Sequence, residues 1–182
     1  MLNRNLQTIE LQLRYISPTN SQDMKLLKTI LNSAAILLLS TAFASADPYK
    51  NGSKINAFKA TDQHGQAYEF EAAKTKYLLI SFDMETGKKS NAALSAKGAE
   101  FLTGLKAVYI ANIFGMPGIG RMFALPKMKK YPHRIILGDD ANLLTPFPQQ
   151  AGKVTVIKLS NGIVQSISYW DPATEQVTDA LK

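Results

Sequence analysis

No cysteine occurs among the 182 residues. That absence removes disulfides, thiolate catalysis, iron–sulfur clusters and cysteine-based zinc sites together. Histidine is nearly as scarce, with His64 and His133 alone, so a nucleophile has few bases to draw on. Also missing is any apolar run of the roughly twenty residues that a helix needs to cross a bilayer. A basic stripe interleaved with aromatics, the mark of a nucleic-acid reader, is absent too, so no nucleic-acid partner is expected. What the chain does have is a hydrophobic fraction of 46%, enough to build one ordinary core without disulfide support.

The N-terminal region has three parts in order. Lys25 and Lys28 form a short positive segment after Met24, Ile30 to Leu39 is largely apolar, and Ala44-Ser45-Ala46 offers small residues for a signal peptidase. This is the pattern of a secretory signal peptide over residues 24–46. Residues 1–23 are polar and mixed, with Arg4, Glu10, Arg14 and Asp23, and read as an upstream extension that is not part of the native protein. Cleavage after Ala46 leaves residues 47–182 as the folded domain, with 17 basic and 12 acidic groups. The expected location is the periplasm, and the alternative is an uncleaved inner-membrane anchor.

Within residues 47–182 the patterning alternates between strand and helix. Residues 54–71 break at Asp62-Gln63-His64-Gly65 and predict a β-hairpin with Ile55, Phe58, Tyr68 and Phe70 inward. Tyr77 to Phe82 is a near-continuous apolar run, suited to a central strand covered on both faces. Thr86 to Lys89 reads as a turn. Ser90 to Leu105 follows as a helix with Ala93, Leu94, Phe101 and Leu105 at helical spacing, and Ala107 to Phe114 as a second buried strand. Gly115 to Pro132 is punctuated by Pro117, Gly118, Gly120 and Pro126 and predicts one or two short broken helices. Arg134 to Leu137 predicts a third strand. Val154 to Leu159 and Ile163 to Tyr169 flank Asn161-Gly162, a strong hairpin signal. Asp171-Pro172 reads as a helix start, with the helix running through Leu181.

Three places resemble the thioredoxin-like superfamily, in its peroxiredoxin and redoxin branch. One is the hairpin Phe58 to Phe70 with Asp62 and Gly65; another is the strand, loop and helix from Tyr77 to Ser90. The third is the strand, Asn-Gly turn and strand over Val154 to Ile167. The resemblance implies an α/β three-layer sandwich, with a central mixed sheet flanked by helices and an N-terminal β-hairpin. More narrowly, Gly87-Lys88-Lys89-Ser90, Pro117-Gly118 to Phe123 and Lys129-Lys130-Tyr131-Pro132 are similar to segments of YtfJ-type periplasmic proteins. The redox families place a Cys-x-x-Cys at the first helix and a cis-proline before a later strand. Here Gly87 and Ser90 stand at the first place, Lys153 and Val154 at the second, so the resemblance does not carry the redox activity with it.

Two segments are candidate sites, and no catalytic set, metal site or cofactor is expected. Gly87, Lys88, Lys89 and Ser90 are read at a helix N-terminus, where free N–H groups and two lysines suit a small anion, so beside the leading expectation of a periplasmic binding or interaction module stands a cofactor-free enzyme or small-anion-binding protein acting there; the plainer reading makes Ser90 a helix cap beside solvated lysines. Ser90 as a nucleophile lacks a base, because His64 and His133 are assigned elsewhere. Arg121 is a candidate anion clamp beside the glycine-rich Gly115 to Gly120, a segment that otherwise serves as a connector. Met122, Phe123, Lys127, Met128, Lys129 and Lys130 are candidates for an interaction surface facing an envelope protein or an anionic membrane, since apolar anchors ringed by base favour such interfaces. Met116, Met122 and Met128 recur every six residues, which holds no three sulfurs on one helix face, and they are read as core filling rather than a Cu(I) site. Asp139-Asp140-Ala141-Asn142 reads as a turn rather than a calcium loop.

Overall fold

The computed structural model describes residues 47–182; the readings of residues 1–23 as an extension and 24–46 as a signal peptide lie outside them. Seven strands form one mixed sheet, built as β1 (Lys59–Asp62), β2 (Ala67–Glu69), β3 (Tyr77–Ser81), β4 (Ala107–Asn112), β5 (Ile136–Gly138), β6 (Val154–Ser160) and β7 (Ile163–Trp170). Their order across the sheet is β2-β1-β5-β4-β3-β6-β7. The three central strands β5, β4 and β3 are parallel, and antiparallel pairs close both sides. Leu78, Leu79 and Ile80 of β3 are each 0% exposed, as a strand covered on both faces requires.

The helices are α1 (Met84–Ala96), α2 (Phe101–Gly104), α3 (Gly118–Met128), α4 (Ala141–Leu144) and α5 (Val177–Ala180). Leu94 of α1, Leu102 of α2, Met128 of α3 and Val177 of α5 pack with Leu79, Tyr109, Val156 and Trp170 on one face of the sheet. Parallel β-α-β crossovers that run in one direction across a sheet place their helices on one side. The opposite face, with Leu78, Ile80, Ile110 and Ile157, is covered by Ile55, Phe70, Phe147 and Leu144 of α4. One sheet face thus carries four helices, and the other mainly irregular chain with a single one-turn helix.

The early hairpin forms as predicted, around a Gly65 at φ +81°. Its turn is held by the buried Asp62 carboxylate, which accepts the N–H groups of His64 and Gln66 at 2.9 Å each and the Arg134 Nε at 2.9 Å. The second hairpin also forms as predicted, with Asn161 and Gly162 at φ +49° and +78°, the signs that a two-residue type I′ turn demands. A bulge opposite Lys158/Leu159 shifts the register of β7. It lets one strand serve both cores, since Val164 packs on the irregular face and Trp170 on the helical one.

Four expectations are corrected. The first helix starts at Met84 rather than Ser90, because Asp83 in extended conformation caps it and accepts the Thr86 N–H at 2.8 Å. That helix also ends at Lys97-Gly98, with Gly98 at φ +91°, so Phe101 and Leu105 fall in and after the separate α2. Pro126 does not break α3, which runs through it. It lies exposed on the solvent side, where a carbonyl that loses its donor can turn to water. Asp171-Pro172 opens a turn in which Asp171 accepts the Ala173 N–H at 2.8 Å, and the closing helix α5 begins only at Val177.

Candidate functional site

A buried polar chain ties α1 to the sheet. Tyr109 of β4, 1% exposed, bonds through its hydroxyl to Ser81 Oγ at 2.8 Å and Ser90 Oγ at 2.7 Å. Burial pushes the Tyr109 phenol up to about 12, so it remains a neutral strut. Asn91 Nδ2 donates to the Gly87 carbonyl at 2.7 Å, which leaves its Oδ1 to face His133 Nε2 at 3.0 Å. An oxygen there accepts, so His133 carries its proton on Nε2. Its Nδ1 is buried without a partner among the described residues. A charged ring would bury a cation whose Nδ1–H has no acceptor among the described residues, and burial lowers the pKa to about 4.

This network settles the placement of the first candidate segment. Gly87, Lys88, Lys89 and Ser90 lie within α1, past its capped N-terminus, and not in a turn before it. Ser90 is 0% exposed and donates to the Gly87 carbonyl; it is neither a helix cap nor an accessible nucleophile. His133 is close by, stacked on Tyr131 with ring centroids 5.8 Å apart, but its Nε2 is taken by Asn91. The end of α1 is closed to an outside anion by Asp83. Burial opposes the Asp83 charge, but the Thr86 N–H and hydroxyl, at 2.8 and 2.7 Å, hold the carboxyl below its ordinary range. Lys89 pairs with Glu85 at 3.5 Å. Only Lys88 of the two lysines turns to the cleft described below.

Arg121 is also committed internally. Its Nε donates to the Met116 carbonyl at 3.1 Å, and its guanidinium to the Ile113 carbonyl at 3.0 Å and to Asp139 at 2.6 Å. These bonds fold the glycine-rich connector back onto the end of β5, so Arg121 is a brace rather than an open clamp. The Arg121 bond holds the Asp139 carboxyl below its usual range. Asp140 caps α4 through the Asn142 N–H at 2.8 Å. No group of three or more His, Asp or Glu among the described residues is placed to hold a metal.

The interaction-surface candidates divide. Met122 and Phe123 are each 63% exposed, and Lys127, Lys129 and Lys130 are exposed as well. Met128 is buried in the helical core and is removed from the surface set. Of the methionines read as core filling, Met128 fits, Met116 packs against the core edge, and Met122 does not. Sequence reasoning missed Ile119, 70% exposed, and Met84 and Phe114, both 53%. Ile119 joins Met122 and Phe123 in showing that α3 is apolar on two sides. Leu125 and Met128 meet the core, and Ile119, Met122, Phe123 and Pro126, at helical spacing, form an outer stripe. That spacing was visible in the sequence, yet either stripe alone served as the core face.

Between α1 and α3, at the C-terminal ends of β3 and β4, lies a cleft of about 230 Å³ lined by Met84, Gly87, Lys88, Met116, Phe123 and Lys127, among others. Open α/β sheets bind ligands at this end of their strands. Three polar side chains that reach the cleft are already satisfied: Ser81 by Tyr109, Asn91 by Gly87 and His133, and Asn112 by the Phe82 carbonyl and the Phe114 N–H; Lys88, Lys127 and Tyr131 line it as well. Small-molecule pockets run to about 300 Å³ and above, with convergent polar groups; this one suits an apolar side chain better.

No protein-family model matches the chain. No curated protein matches it either. Solved structures do. A putative thioredoxin from Neisseria meningitidis is similar with a TM-score of 0.51 at 17% identity, over 72% of this chain and 89% of that one. Peroxidoxin BcpB from Mycobacterium tuberculosis is similar with a TM-score of 0.50 at 11% identity, over 72% and 94%. The chain has the thioredoxin-like fold. It has no cysteine, so it has no thiol with which to carry the dithiol chemistry of that fold.

Proposed function

We propose that the protein is exported and acts in the periplasm as a redox-inactive interaction module, with the outer face of α3 as its contact surface. The observation that carries this reading is the double-sided α3. Ile119, Met122 and Phe123 stand more than half exposed, as do Phe114 and Met84, and Met84 lines the same cleft as Phe123. Exposed apolar side chains at successive turns of one helix mark an interaction site. The signal-peptide pattern over residues 24–46 supports the location. Among the described residues no helix is long and apolar enough to cross a membrane.

Crosslinking in the cell envelope tests the reading. Replacing Ile119, Met122 and Phe123 together by serine should abolish the crosslinked species while the fold survives, because exposed positions contribute within about 0.5 kcal/mol each to stability. Lys127→Glu should weaken it. Arg121 is the wrong probe, since its replacement damages the brace to Asp139. Crosslinks that persist in the triple variant exclude the α3 face.

A further inference from the structure

We infer that the cleft between α1 and α3 is a socket for one bulky apolar side chain of an acidic protein segment, with the bare backbone of Gly87 on one wall. This rests on the α3 face being a contact surface and names what that surface binds. Three observations converge. First, Gly87 sits in the interior of α1 with no positive φ to require glycine, although glycine weakens a helix interior relative to alanine. A Cβ there would meet only Ser81 Oγ, at an ordinary 3.6 Å. The fold itself does not need the glycine; what its absent side chain leaves open is the cleft. Gly120 on the facing helix differs, because Met116 already lies 3.2 Å from where its Cβ would be.

Second, the buried polar side chains of the cleft, Ser81 and Asn91, are already paired within the protein, so the occupant that suits its interior is apolar. Third, the rim is basic. Lys88 and Lys127 line the cleft, with Lys129 and Lys130 exposed in the turn after α3, and none of the four forms an ion pair among the described residues. The carboxylate on the lining, Asp83, is turned to Thr86. From Gly118 to Lys130 there is no acidic residue. A second copy of this chain would bring the same basic rim against itself. A bilayer is flat and would leave the cleft empty. An acidic segment with an apolar anchor satisfies the charge and fills the space.

The probe is an acetylated pentapeptide with one phenylalanine between pairs of glutamates, titrated into the isotopically labelled protein at low salt and followed by amide shifts. Shifts should centre on residues 84–91 and 116–127. Lysine in place of the glutamates, or alanine in place of the phenylalanine, should weaken binding about tenfold or more. Gly87→Leu should weaken it to a similar degree, and Ala124→Met, on the opposite wall, serves if that variant does not fold. Unchanged peptide affinity in the filled-cleft variants overturns the inference, as does binding of phosphatidylglycerol vesicles or self-association in place of the peptide. Displacement of the peptide by residues 1–46 in the uncleaved chain would make that segment the occupant and overturn it too. If the serine triple variant loses its envelope crosslinks but Gly87→Leu keeps them, the contact surface stands and the socket falls.

Discussion

His133 is the residue whose burial reaches furthest into solution behaviour. Its folded pKa is about 4, against an ordinary 6.5. The unfolded chain therefore binds the proton more tightly, and stability is complete above pH 6.5 and falls as the pH drops toward 4. The loss amounts to about 3 kcal/mol, at roughly 1.4 kcal/mol per pH unit. The lowered carboxyls of Asp62, Asp83, Asp139 and Asp171 act only lower, as the pH falls through 3.8 and below. Urea unfolding at pH 7, 5.5 and 4.5 should show the slope, read from the single, fully buried Trp170. His133→Gln should flatten it, and an equal slope in that variant would assign the proton elsewhere. At Gly87, alanine should stabilise the fold by about 1 kcal/mol, measured in the same way. Gly162→Ala should do the reverse, since its φ is +78° and a Cβ would come 2.7 Å from the Ala72 Cβ; a loss of roughly 1–3 kcal/mol is expected. Asn161-Gly162 announced itself in the sequence because a turn's φ requirement is local. The partnership of His133 with Asn91, 42 residues away, had no local trace.

At the scale of elements, α3 departs most from the sequence reading. Pro117, Gly118, Gly120 and Pro126 look like breaks, yet Pro117 merely precedes the helix and Pro126 is absorbed on its exposed side. Pro126→Ala should therefore raise the melting temperature, because an N–H returns to an otherwise regular helix. A lower melting temperature would show that the proline fixes a bend the packing requires. The first helix starts at Met84, six residues before the Ser90 that the sequence predicts, for a related reason. Thr86-Gly87-Lys88-Lys89 has turn-like composition, but the Asp83 cap and the Tyr109 strut hold it helical. Helix ends depend on which groups find partners, and here the Ser90 hydroxyl finds Tyr109 on a strand 19 residues on.

For the whole molecule, export is the property to measure first. Expressed from Met24 in a Gram-negative host, the protein should appear in the periplasmic fraction with an N-terminus at Asp47, read by intact mass and N-terminal sequencing. An uncleaved membrane product would turn the search toward an anchored assembly. The same preparation should leave dithiothreitol-driven insulin reduction at its uncatalysed rate, as a chain without thiols must.

Alone, the sequence determined what is local or absolute. Without cysteine there is no dithiol chemistry, and alternation with glycine-marked turns specified both hairpins and the central strands. Tertiary structure decided everything that depends on who faces whom. It buried Ser90 and Met128, locked Arg121 onto Asp139, and left the second apolar stripe of α3 exposed. A helical repeat shows that a stripe exists; only packing shows which stripe is covered, because burial is a property of neighbours brought together from distant parts of the chain.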